Sequence, residues 1–299
     1  MTAFARQCLR WGGASTMRRM DNDATPHPYP LGHSERELER LAVQARDLAA
    51  HTTVLFRRAG ISAGHRVLDL GCGTGDVSFI AAEIVGPSGH VVGIDRSPAA
   101  IDAARERARR VGHLNVTFKV GYVEDLAIGG EFDVIVGRLV LMYLPDPVKA
   151  LRGLQRLLRP HGLVVLQEGD PKTIDSEPEC PLVSQIRSWM VAAFERTGCS
   201  TNMGSQLGTV LHKAGYRPEG SWVSQPSYVG NSIARLDWFA DLARTLAPTL
   251  ERTGIAPTYA LQTDSLAARL VAEASARHAI VYAPRLMGIW SRVAGGFTP

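Results

Sequence analysis

At 299 residues, 45% apolar and 21% charged, the chain has enough apolar material for a large core and lacks the bias of disordered or collagen-like sequences. A net charge of +4 invites a nucleic-acid reading, yet lysine occurs only at Lys119, Lys149, Lys172 and Lys213. The arginines alternate with Asp and Glu, as from Glu35 to Arg46, which reads as solvated helix faces. No run is long enough to span a bilayer. The Arg-rich stretch up to about Thr25 lacks the apolar core of a secretory signal. It is expected to be disordered, or an over-extended start ahead of Met17 or Met20, in a cytoplasmic protein. Cys8, Cys72, Cys180 and Cys199 have neither paired spacing nor a His partner pattern, so no zinc site or disulfide framework is expected.

Taken in chain order, Ser34 to Ala59 reads as one or two amphipathic helices, with Leu38, Leu41, Val43, Leu48, Val54 and Leu55 facing inward. Val67 to Ser78 reads as a buried strand, a glycine-rich turn and a first helical turn. Val77, Ile80, Ala81, Ile84 and Val85 continue that helix to a stop at Gly86-Pro87. His90 to Asp95 is a second strand. Ser97 is placed to cap, and Pro98 to open, a helix running to about Val111. Asn115 to Val120 and Phe132 to Gly137 are further strands. Asp146-Pro147 starts a helix with Val148, Leu151, Leu154 and Leu158 on one face. After the turn Arg159 to Gly162 comes a fifth strand, Leu163 to Glu168. Alternating strands and helices imply a mostly parallel sheet covered on both faces, an α/β fold.

The expected organisation is an N-terminal segment with lid helices (1–60), a core (61–169), a helical insert (170–203), a return to the core (204–230), a helical cap insert (231–278) and a last strand with tail (279–299). The first insert carries the helical stretch Leu182 to Arg196, with Ile186, Trp189, Met190 and Phe194. The second carries Trp238, Phe239, Leu242 and Leu246. The last strand is expected from Ile280 to Trp290, interrupted at Pro284, a residue tolerated near a sheet edge.

Gly71, Gly73 and Gly75 run as G-x-G-x-G behind Asp69, at the point where a doubly wound domain binds a nucleoside-bearing cofactor. Asp76 stands where a dinucleotide fingerprint needs its third glycine, which argues against a nicotinamide-dependent dehydrogenase. Asp95, at the tip of the second strand, is placed to accept both hydroxyls of a ribose.

The Asp69-x-Gly71-x-Gly73-x-Gly75 run resembles motif I of the class I S-adenosylmethionine-dependent methyltransferases. Phe132 to Glu168 is similar to the corresponding block of the ubiquinone/menaquinone-biosynthesis-type small-molecule methyltransferases, with His161 in place of a usual glycine. The resemblance spans Arg66 to Gly169. It implies a seven-stranded Rossmann-like sheet and S-adenosylmethionine as cofactor, with S-adenosylhomocysteine as product. It further implies a cofactor site at Asp69, Gly71, Cys72, Gly73, Gly75, Asp95, Arg96, Tyr122, Val123, Glu124 and Arg138, closed over by the segment around Tyr29. One departure concerns adenine: the family usually has Gly-Asp-Ala after the third strand, and this chain has Gly121-Tyr122-Val123. Tyr122 can stack on adenine, or Glu124 or Asp125 can take the polar contact.

Methyl transfer is an in-line displacement that needs a base only when the nucleophile arrives protonated. Candidates for catalysis are Glu168, Tyr143 and Tyr29, with His27 and Asp170 also near strand tips or the N-terminal segment. Candidates for the acceptor pocket are His33, Met142, Trp189 and Trp238. No metal site is expected. The expected partner is a small, moderately apolar organic acceptor, methylated on O, N or C by a monomer or homodimer with no nucleic acid or membrane involved. The alternatives are an RNA methyltransferase and a non-methylating relative that binds S-adenosylmethionine.

Overall fold

The computed structural model describes residues 35–126, 128–256 and 265–293. Seven strands form one sheet: β1 (Arg66–Leu70), β2 (His90–Asp95), β3 (Val116–Val120), β4 (Phe132–Arg138), β5 (Leu158–Asp170), β7 (Tyr216–Ser224) and β10 (Arg285–Val293). Their spatial order is β3-β2-β1-β4-β5-β10-β7, with β1 to β5 parallel and β10 antiparallel to both its neighbours. The expected doubly wound, mostly parallel sheet is therefore present.

Period-two alternation gives the sheet two apolar faces. Val67, Val91, Val134, Val136 and Val165 lie on one face, with Leu55 and Phe56 of α1 (Glu35–Arg58), Val77 and Ala81 of α2 (Asp76–Val85) and Ile101 and Ala104 of α3 (Pro98–Val111). Leu68, Leu70, Ile135, Val164 and Leu166 lie on the other, with α4 (Pro147–Leu154) and α6 (Met203–Lys213). That second core continues into α5 (Pro181–Arg196), α7 (Asp237–Arg252) and α8 (Leu266–Ala276). Each fully buried aliphatic side chain contributes ~1.5–3 kcal/mol, so the cap helices are held by the same apolar mass as the sheet.

Local signals act as the sequence leads one to expect. Ser97 Oγ accepts from Ala100 N at 3.3 Å and Asp146 Oδ1 from Lys149 N at 2.8 Å, each with proline opening the helix.

Three details differ from expectation. Val54 is 38% exposed, because Leu48, Thr52, Leu55 and Phe56 form the inward stripe of α1 and Val54 falls off it. The side chains of Leu38 and Leu41 lie outside those described. Strand β5 starts at Leu158, which pairs with Phe132 while Leu163 pairs with Val134, so Arg159 to Gly162 bulge out of a continuous strand. The stretch Ile280 to Trp290 is two strands in two sheets. β9 (Ile280–Tyr282) pairs with β6 (Asp175–Glu177) and β8 (Ser227–Tyr228) in a three-stranded sheet, and the chain re-enters the main sheet at Arg285. Pro284, with no amide to donate and a fixed φ, stands at the switch between them.

Candidate functional site

The loop between β1 and α2 turns under the C-terminal ends of β1 and β4. Gly71 has φ +58°, and a Cβ there would lie 2.7 Å from Val140 Cγ2, so only glycine lets the loop pass the chain leaving β4. Gly75 caps α2 with φ +90°. Between them, Gly73 N donates to Asp95 Oδ2 at 2.9 Å, and Ser97 N donates to Asp95 Oδ1 at 2.8 Å. Asp95 thus braces the glycine loop against the start of α3. Asp76 holds the other side: its Oδ2 accepts from Thr74 Oγ1 at 2.9 Å and its Oδ1 pairs with Arg107 Nη2 at 2.7 Å.

Asp69 is fully buried beneath this loop, where Ser78 Oγ donates to its Oδ2 at 2.6 Å and Oδ1 has no partner. Burial raises its pKa to about 7, against the lowering pull of Ser78 and Arg138. A folded-state pKa above the unfolded value makes Asp69 favour folding fully below about pH 4, a contribution lost as pH rises through about 7. Asp69→Asn should therefore gain stability relative to wild type, on the order of 2 kcal/mol, between pH 5 and pH 8. Denaturant melts at the two pH values test this, and a constant difference between the proteins would refute it.

A cavity of about 240 Å³ opens over the loop. Gly71, Cys72, Gly73, Asp95, Arg96, Tyr122, Val123, Glu124 and Arg138 all line it, as do Met142, Tyr143 and Trp238. Tyr122 and Asp125 close a tight turn that leaves Tyr122 46% exposed at the cavity mouth and buries Val123. Asp69, Gly75, Glu168 and Trp189 do not line it. Trp189 is half-buried and packs against the core cluster that contains its neighbours Met190 and Phe194, while those two line the cavity. Tyr29, His33 and His27 lie outside the described residues.

Arg138, at the end of β4, donates through Nη1 to Thr52 Oγ1 at 3.0 Å, and Thr52 donates to Gln167 Oε1 at 2.8 Å. This chain ties α1 to β4 and β5 across the cavity floor. Burial lowers the Arg138 pKa, with Asp76 and Asp69 pulling it back up.

The expected base Glu168 has a different place. It is fully buried, and its Oε1 accepts from Val140 N at 3.0 Å and Leu141 N at 2.8 Å. These amides open the short 3₁₀ turn Leu141–Tyr143. The preceding Leu139 has φ +54°, a left-handed conformation costly for a branched residue, and its amide is held by Gln167 O at 2.8 Å. Glu168 therefore anchors the turn that presents Met142 and Tyr143 to the cavity, from a position that does not reach it. Burial lifts its pKa to about 7, despite the backbone hydrogen bonds that lower it.

The far end of the cavity belongs to the cap. Met190 and Phe194 of α5, Leu242 of α7, Pro284 just before β10 and Leu286 within it line it. Tyr143 meets Phe194 edge-to-face, ring centroids 6.4 Å apart. Residues that the sequence reading did not assign to the site join them: Gln44, Asp47 and Leu48 from α1, and Tyr228 from β8. Asp47 directly follows a stretch that reads as a solvated face, and nothing local marks it as inward.

The donor set fits a nucleoside-bearing cofactor. Asp95 offers a carboxylate at the cavity wall, and a Cβ at Gly73 would meet no protein atom within 4 Å, which leaves room above the loop. Among the described residues no group of three or more His, Cys, Asp or Glu could hold a metal ion, and no helix is long and apolar enough to cross a membrane.

Comparisons with known proteins agree with this geometry. The chain is 42% identical over 107 residues to an arsenite methyltransferase of Aquipseudomonas alcaligenes, covering 33% of this chain and 31% of that protein. It is 35% identical over 131 residues to a demethylmenaquinone methyltransferase of Lactococcus lactis, covering 44% of this chain and 50% of that protein. The chain thus spans from 31% to 50% of these relatives' lengths. The crystal structure of a putative methyltransferase from Bacillus halodurans shares the fold, with TM-score 0.55 at 17% identity over 81% of this chain and 98% of that one. A family model described as a methyltransferase domain matches residues 61–215, more than half of the chain. The chain therefore belongs to the methyltransferase domain family, among the class I S-adenosylmethionine-dependent methyltransferases.

Proposed function

We infer that the protein moves a methyl group from S-adenosylmethionine to O, N or C of a small, moderately apolar organic acceptor. The observation that carries this reading is one continuous cavity: the glycine loop and Asp95 line one end, and Met142, Phe194, Trp238 and Leu242 line the other. In the proposed arrangement Asp95 holds the ribose, the Tyr122–Glu124 turn holds adenine, and the loop at Gly71 with Arg138 holds the amino-acid end. When bound, the cofactor supplies an electrophilic methyl on a sulfonium. The chain's own task is alignment, which supplies ~7–11 kcal/mol when reacting atoms are held in near-attack geometry.

Of the acceptors that the relatives' names indicate, a flat organic ring suits the apolar far wall better than arsenite does. A soft arsenic centre is matched by thiolates. Of the described cysteines Cys72 alone lines the cavity, so its wall does not gather the several cysteine sulfurs that a soft arsenic centre takes.

The test is incubation of the purified protein with methyl-labelled S-adenosylmethionine and fractionated host extract. Label is expected in a small-molecule fraction, where mass and fragmentation identify the methylated atom. Label confined to RNA or protein would refute the substrate class.

A further inference from the structure

The far wall of the cavity is mostly carbon, yet one point on it is strongly polar. Asp47 of α1, Tyr228 of β8 and Trp238 of α7 come from three separate elements and all line the cavity there. Trp238 Nε1 donates to the Tyr228 hydroxyl at 2.8 Å, and that hydroxyl donates to Asp47 Oδ2 at 3.3 Å. The other Asp47 oxygen pairs with the Arg235 guanidinium, and the Asp47 side chain is only 11% exposed. Burying a carboxylate costs several kcal/mol unless it is paired and hydrogen-bonded. Here the pairing group lies on the outer side, Arg235 being 61% exposed, and the phenol lies on the cavity side. A carboxylate needed only to tie α1 to the cap would be served by Arg235 alone. This one also bonds a phenol buried in the wall that faces the acceptor.

We propose that Tyr228 is a catalytic hydroxyl that binds and deprotonates the acceptor, and that Asp47 positions it and takes its proton, so that the acceptor is a phenol or enol on a flat apolar skeleton. This rests on the methyl-transfer reading above and narrows it to oxygen. In the step, the acceptor oxygen forms a bond to the methyl carbon as the carbon–sulfur bond breaks, and that bond's electron pair returns to sulfur. The acceptor's proton passes to the Tyr228 oxygen while the Tyr228 proton passes to Asp47, which later releases it to water. Trp238 fixes the phenol's orientation through its indole N–H.

The probes are 2-naphthol and naphthalene, bound to the full chain saturated with S-adenosylhomocysteine. Wild type should prefer 2-naphthol by at least about tenfold, the scale of a hydrogen bond to a charged pair. Bound 2-naphthol should show a red-shifted absorption as its O–H donates. Tyr228→Phe and Asp47→Asn should both lose the preference and the shift. Arg235→Gln breaks the ion pair but leaves the phenol–carboxylate bond, so it should keep both and separate a chemical role from a merely structural one. Calorimetry with S-adenosylhomocysteine verifies a folded cavity in each variant. Equal affinity of wild type for the two probes, or a preference that survives in Tyr228→Phe, would overturn the assignment. A wild type that fails to bind S-adenosylhomocysteine would instead remove the methyl-transfer reading itself.

Discussion

Asp95→Ala is expected to weaken S-adenosylhomocysteine binding by about 1.5–3 kcal/mol, about 10- to 150-fold. Two separate losses combine. The carboxylate that would hold the ribose diol disappears, and the Gly73 and Ser97 amides lose the acceptor that holds the loop against α3. Asp95→Asn should fall nearly as far, because an amide nitrogen would face one of those two N–H donors. Titration calorimetry measures the affinity, and thermal melting separates a lost contact from a lost fold. Full affinity in Asp95→Ala would reduce Asp95 to a brace and move the ribose elsewhere.

Glu168 offers the second large effect, because its two possible roles respond oppositely to one substitution. As the anchor of the turn after β4, it matters for accepting the Val140 and Leu141 amides. Glu168→Gln keeps an acceptor oxygen in place and should leave methyl transfer within a few-fold of wild type. Glu168→Ala leaves two buried donors unsatisfied, at ~1–3 kcal/mol each, and releases the strained Leu139. It should cost on the order of 3–5 kcal/mol of stability and misplace Met142 and Tyr143. Were Glu168 the base, Glu168→Gln would instead fall by ~10²–10⁴ in rate with stability intact. Urea melts with label incorporation on both variants decide between these outcomes.

The glycine-loop half of the cavity was legible because its signals are local. A glycine loop between a strand and a helix, an acid at the next strand tip and Ser97-Pro98 behind it each spell their geometry over a few residues. Backbone conformation depends mainly on such near neighbours. The same holds for the parallel sheet, whose period-two and helical patterns repeat along the chain.

The half of the cavity walled by the cap obeys no local pattern. Glu168 reads as a strand-end carboxylate open to the cavity. Only the β4–β5 register, which pairs Arg138 with Gln167, turns it toward the amides that follow β4. Pro284 reads as an interruption within one strand, and it is the second sheet that makes it a junction between two.

By itself, then, the sequence determined the doubly wound sheet, the glycine loop and the acid at Asp95, all features set by residues adjacent in the chain. Tertiary structure alone decided what stands across the cavity from them. Asp47 and Tyr228 lie 181 residues apart, and no periodicity encodes their meeting. It follows from how α1 and the cap close over one apolar mass, where burial is non-directional and the position of each polar group is settled by packing.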